Sequence, residues 1–124
     1  MNEGFVVLAI LRIAVFLALL GAFAAHAQTT PASEPVPKFD KAYLANATAI
    51  ASGEEVWQTQ CRHCHGRAAY PGKAPKLSPG AMEPAFIFDR VTNGFGKMPP
   101  WKDVFTHEQR KAVVAYIKST SFSP

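Results

Sequence analysis

The chain has 124 residues, 13 basic and 9 acidic side chains, and a net charge of +4. This length supports one domain and excludes a second, and so small a core usually needs a staple, a metal or a cofactor. No internal repeat or low-complexity tract is present.

Taken in order, Gly4 to Ala25 is apolar except for Arg12, and Ile13 to Ala25 supplies 13 uncharged residues. That is the length of a signal-peptide core, and Ala25-His26-Ala27 supplies the small-residue cleavage pattern. Residues 1–27 are therefore expected to be a cleaved signal peptide, with a mature chain starting at Gln28 and a periplasmic destination. Glu3 and the late Arg12 depart from the usual charge pattern. The alternative is an uncleaved membrane anchor, because Gly4 to Ala25 could just span a bilayer. Residues 28–46 carry Pro31, Pro35 and Pro37 among polar residues and read as a stiff tail or linker. Ala42 to Ile50 could add a short helical lead-in. Residues 47–124 form the expected domain.

Three main helices are expected, and no segment alternates as a strand. The first starts at Ser52, where Glu55 would complete a capping box, and runs through Val56, Trp57 and Cys61. The second starts near Met82 with Pro84 in its first turn, presents Phe86, Ile87, Phe88 and Val91, and ends at Gly94. The third starts at Thr106, with Gln109 as capping-box partner, and carries Val113, Val114, Tyr116 and Ile117 at helical spacing. Gly66 to Gly80, with three glycines and three prolines, reads as loop.

Cys61-Arg62-His63-Cys64-His65 is the motif that carries chemistry. Cys-x-x-Cys-His is the spacing of haem attachment. Thiols at i and i+3 share a helix face and can add to the two vinyl groups on one porphyrin edge, with the histidine at i+4 on the same face. A thioredoxin-type redox site would need a βαβ setting that is missing. A zinc site would crowd four ligands into five residues. Both cysteines are used, so no disulfide is expected.

An electron carrier usually holds its iron on both faces, often by His and Met. Met98 lies in Gly94-Phe95-Gly96-Lys97-Met98-Pro99-Pro100-Trp101, where the glycines permit close backbone approach and the prolines stiffen the segment. Met82 is expected to open a helix and pack as core. His107 is expected at the solvated surface. The expected metal ligands are thus His65 and Met98.

These motifs resemble a small class I cytochrome c of the bacterial periplasmic type, across Ala51 to Ser119. Gly53 and Trp57 are similar to the small residue and aromatic of that family's N-terminal helix, and Tyr116 to the aromatic of its C-terminal helix. Pro75 and Leu77 match the segment after the haem motif, and Met98-Pro99 the distal Met-Pro. The resemblance implies an all-α cytochrome c fold, with three main helices around one haem c held by two thioether bonds. It also implies a contact between the two terminal helices and a hydrogen bond from His65 to the Pro75 carbonyl. The short interval from His65 to Met98 departs from the mitochondrial type and implies a more exposed haem edge. Tyr70, Arg67 and Trp101 are then the candidates for bonding the propionates, and Trp101 could instead form a lid.

With both axial positions filled, outer-sphere electron transfer is expected, not enzyme catalysis. Cys61 to Lys102 carries seven basic and two acidic residues, whereas Gln28 to Gln60 is net acidic. An acidic docking surface on a redox partner would meet Lys73, Lys76, Lys97 and Lys102. The expected function is a monomeric, single-haem periplasmic carrier between a dehydrogenase and an acceptor such as an oxidase. The alternative is a fixed haem subunit of a dehydrogenase, possibly a quinoprotein alcohol dehydrogenase, or of an oxidase complex. Nucleic acid is not an expected partner of an exported protein, and membrane contact follows only if residues 1–27 are retained.

Overall fold

The computed structural model describes residues 34–68 and 72–122. The expected signal peptide and Tyr70 lie outside the described residues. Helix α1 spans Lys41–Leu44 and is capped by Asp40, whose Oδ1 accepts from the Tyr43 N–H at 2.7 Å. Just before it, Phe39 packs on Phe88 with ring centroids 6.0 Å apart. Contact with the helical domain is therefore already made at Phe39.

Helix α2 spans Ala47–Val56, and its cap is Asn46, whose side chain accepts from the Ala49 N–H. Ser52, expected at the start, lies inside this helix instead. The correction has a physical cause. Asn46 already satisfies an orphan donor, and the alanine-rich turn after it is intrinsically helical. By Ser52 no free N–H remains to be capped, so the Ser52–Glu55 spacing only imitates a capping box.

A five-residue π-turn, Trp57–Cys61, follows without a break, with the Arg62 N–H donating to the Trp57 carbonyl five residues back. The Thr59 hydroxyl lies within hydrogen-bonding distance of the Glu55 and Val56 carbonyls, at 3.0 and 3.1 Å. Helix α3, Arg62–His65, ends at Gly66. A 3-10 turn at Pro79–Ala81 then precedes α4, Pro84–Asn93. Met82 does not open α4. It is extended, with φ −106° and ψ 124°, because Pro84 forces Glu83 out of the helical region and the helix cannot start before the proline. Gly94 ends α4 as expected. Helix α5, His107–Lys118, begins with the expected reciprocal capping box: Gln109 N–H donates to Thr106 Oγ1, and Thr106 N–H to Gln109 Oε1.

The core lies where α2 and α4 pack on α5. At Gly53 the backbones approach so closely that a Cβ would overlap the Ala112 carbonyl and lie 2.9 Å from Tyr116 Cβ. Beside this crossing Trp57 meets Tyr116 at 6.3 Å, as expected, and both pack edge-on against Phe122. Phe122 is fully buried and was not singled out in the sequence. Among the described residues there is no strand, only an isolated bridge between Phe95 and Met98, and no helix long and apolar enough to cross a membrane.

Candidate haem pocket

A cleft opens between these elements. Trp57 and Cys61 line it from the π-turn, His65 from α3, and Leu77 and Met82 from the following loop. Ile87, Arg90 and Val91 of α4, Met98, and Val113 and Ile117 of α5 complete the wall. Ile87, Arg90 and Val91 share one face of α4 at i, i+3 and i+4. Phe86 and Phe88, also expected to bury the ring, are each rotated about 100° from Ile87. Phe86 is 47% exposed, and Phe88 is buried against Phe39 and His107.

Local backbone chemistry places the motif residues. The indole Nε1–H of Trp57 donates to the Gly66 and Arg67 carbonyls, both at 3.1 Å, and fixes the exit of α3. The Ala74 N–H donates to the Cys64 carbonyl at 2.8 Å and draws the loop against α3. His65 packs on Trp57 with centroids 5.5 Å apart, and its buried Nδ1 has no hydrogen-bond partner. Burial lowers its affinity for a proton, which favours the neutral imidazole that a metal requires. Cys61 faces the pocket, and burial, then the neighbouring Cys64, pushes its thiol up to about 11. Cys64 is exposed and absent from the lining, so the two thiols do not share the pocket equally.

On the other side, Met98 is delivered by a tight turn. Its N–H donates to the Phe95 carbonyl at 2.9 Å and its carbonyl accepts from the Phe95 N–H at 3.0 Å. The Trp101 N–H donates to the Val91 carbonyl and ties this turn to α4.

Other expectations fare differently. The hydrogen bond from His65 to the Pro75 carbonyl is not made, and Pro75 is exposed. Trp101 stacks on Phe105 at 5.4 Å and is absent from the pocket lining. Arg67 is exposed. His107 is not plain solvated surface: it packs edge-on against Phe88 at 5.2 Å. Several lining residues were missed as such, Met82 and Arg90 among them. Met82 reaches the pocket because its segment is extended. Arg90 has a buried Nε with no hydrogen-bond partner, while its guanidinium lies 4.8 Å from the Phe86 ring and 4.5 Å from the Phe95 ring. A basic residue on the otherwise apolar Ile87–Val91 face was the available signal for it.

The donor set fits a flat, apolar, iron-bearing ring. A half-buried imidazole with an unpaired nitrogen, two thioethers and a thiol converge on a largely apolar cleft. An all-α fold with this pocket behind Cys-x-x-Cys-His defines a class I c-type cytochrome, an electron-transfer module of the cytochrome c fold whose cofactor is covalent haem c. The comparison with known proteins agrees and narrows it. The family described as cytochrome c oxidase, cbb3-type, subunit III matches residues 48–117, more than half of the chain, and the chain belongs to that family. It is similar to the cbb3-type cytochrome c oxidase subunit FixP of Sinorhizobium medicae (strain WSM419), at 28% identity over 91 residues. That alignment covers 61% of this chain and 32% of FixP. No solved structure matches.

Proposed function

We propose that this protein is a single-haem periplasmic electron carrier, with Cys61 and Cys64 as thioether anchors and His65 and Met98 as axial ligands. The observation that supports this reading is the meeting of Cys61, His65 and Met98 on one apolar cleft. The bound haem supplies a one-electron iron couple. His65 contributes a neutral nitrogen, and the soft thioether of Met98 favours the reduced iron and raises the potential. With both side chains holding the iron, it would have no position open to a substrate. Ile87, Val91, Val113 and Ile117 exclude water, which works in the same direction. Arg90, at the cleft with its unpaired Nε, would hold the carboxylates of the cofactor, a role for which Tyr70, Arg67 and Trp101 are the other candidates.

Signal cleavage after Ala27 and a haem domain over 47–124 belong to the same reading, with the linker expected over residues 28–46 already packed against that domain from Phe39 onward. Lys73, Lys76, Lys97 and Lys102 are all exposed and would meet an acidic partner surface. The second reading, a fixed haem subunit of an oxidase complex, is favoured by the family match and by the likeness to FixP. Size-exclusion of native extract separates the two: a carrier elutes alone and a subunit elutes with its complex. Denaturing mass spectrometry tests the shared core of both readings. The expected mass is the chain from Gln28 plus one haem. A bare polypeptide mass overturns the haem assignment, and a retained Met1 overturns only the cleavage.

A further inference from the structure

Arg110 sits on α5, one turn past the Thr106 cap, and is 3% exposed. A buried guanidinium is costly unless its donors are well used, and here they are. Nη1 donates to Thr92 Oγ1 at 2.9 Å, and Nε donates to the Phe105 carbonyl at 3.2 Å and reaches the Thr106 carbonyl at 3.4 Å. The guanidinium also lies 5.4 Å from the Phe88 ring centroid. Thr92 and Phe105 bracket the segment that carries Met98. Thr92 holds that segment a second time, since its carbonyl accepts from the Lys102 N–H at 3.3 Å. A planar fork that grips both ends of a loop fixes its span in a way a lysine's single ammonium does not.

We propose that Arg110 is the positioning residue for Met98: by tying Thr92 to Phe105 it closes the loop that turns Met98 into the pocket, and it thereby sets how readily Met98 leaves the iron. This rests on the reading of Met98 as an axial ligand. Lys118 offers an internal comparison. It extends from the far end of the same helix, and its Nζ donates to the Pro79 and Met82 carbonyls at 2.6 and 2.9 Å. It therefore secures the other methionine-bearing segment and not the Met98 loop.

The test uses the oxidised holoprotein and reads two signals, the weak far-red sulfur-to-iron band and the rate of binding of added imidazole. Thr92→Val and Arg110→Lys should each weaken the band and speed imidazole binding about tenfold, as expected for losing one hydrogen bond to a charged group. Lys118→Met should lower thermal stability and leave both signals at the native level. Thr92→Val carries the test alone if Arg110→Lys fails to fold. Native-level imidazole rates in the Thr92 and Arg110 variants overturn the proposal, as does an equal acceleration in Lys118→Met, which would signal general loosening. Met98→Ala separates the two readings. If it abolishes the band while Thr92→Val behaves as native, only the positioning role falls. If the band survives in Met98→Ala, the ligand assignment falls and this inference with it.

Discussion

Two methionines reach one pocket, and their backbones differ. Both pack against the core, but Met98 sits on a turn closed by a pair of hydrogen bonds to Phe95, whereas Met82 lies in an extended segment. Met98→Ala is therefore expected to remove the far-red band, lower the potential and speed cyanide binding, while Met82→Ala keeps all three near native. Survival of the band in Met98→Ala, or its loss in Met82→Ala, would reassign the ligand. The Gly/Pro setting of Met98 was legible in the sequence. The approach of Met82 was not, because it depends on where the helix after it starts. Tyr116 supports a second expectation. Burial, then Glu54, raises its ionisation above the ordinary value of 10.0, against opposing effects of Gln58 and Arg67. Above that pH the unfolded chain loses the phenolic proton while the folded chain keeps it, so stability falls as pH rises. Urea midpoints measured on either side of pH 10 should fall in the native protein and fall less steeply in Tyr116→Phe. Equal slopes would show that Tyr116 does not govern alkaline stability.

At the scale of elements, the segment from Gly94 to Phe105 hangs on its first residue. Gly94 has φ 74° and ψ 176°, and a Cβ there would lie 2.5 Å from the Met98 carbonyl oxygen and 2.8 Å from the Pro100 nitrogen. Gly96 has φ 58° but open space around it. Gly96→Ala should thus cost roughly 1–2 kcal/mol, the penalty of the left-handed region alone. Gly94→Ala should cost more and also weaken the Met98 signal, read by thermal unfolding and the far-red band together. Similar losses in both would mean that the clash at Gly94 relaxes freely. Helix α5 was legible because Thr106 and Gln109 complete a capping box that nothing upstream pre-empts. The start of α2 was not, since Asn46 outcompetes a well-spaced Ser52 and Glu55. The apolar face of α4 was read too broadly, because four apolar residues within six positions cannot all point one way.

For the molecule as a whole, charge is the property that reaches beyond contact. The excess of basic residues lies between Cys61 and Lys102, the stretch that supplies most of the pocket wall. If those charges steer a partner, electron-transfer rates in stopped flow should fall as salt shortens the Debye length toward about 8 Å. Lys97→Glu should flatten that dependence. A rate indifferent to salt would point instead to an apolar contact, for which exposed Phe95 is available at 69% accessibility. The global fold was legible because helical spacing, the Thr106–Gln109 capping box and the Cys-x-x-Cys-His motif all agree. The pocket's full wall was not, since residues from six separate segments meet there only once the chain is folded.

The π-turn at Trp57–Cys61 has a consequence for how this sequence can change length. One extra residue in a turn shifts the phase of everything after it by about 100° relative to an uninterrupted α-helix. Upstream of the shift, Gly53 is in phase with α5; downstream, Cys61 and His65 are in phase with the cleft. Deleting the exposed Gln60 would restore regular helical bonding and swing the whole attachment motif off the pocket. Circular dichroism should then report a helical protein, and mass spectrometry one without haem. At this site the backbone that is easiest to build and the one that holds the cofactor are different reading frames of the same helix. Insertions and deletions are excluded there even where substitutions at the exposed positions are tolerated.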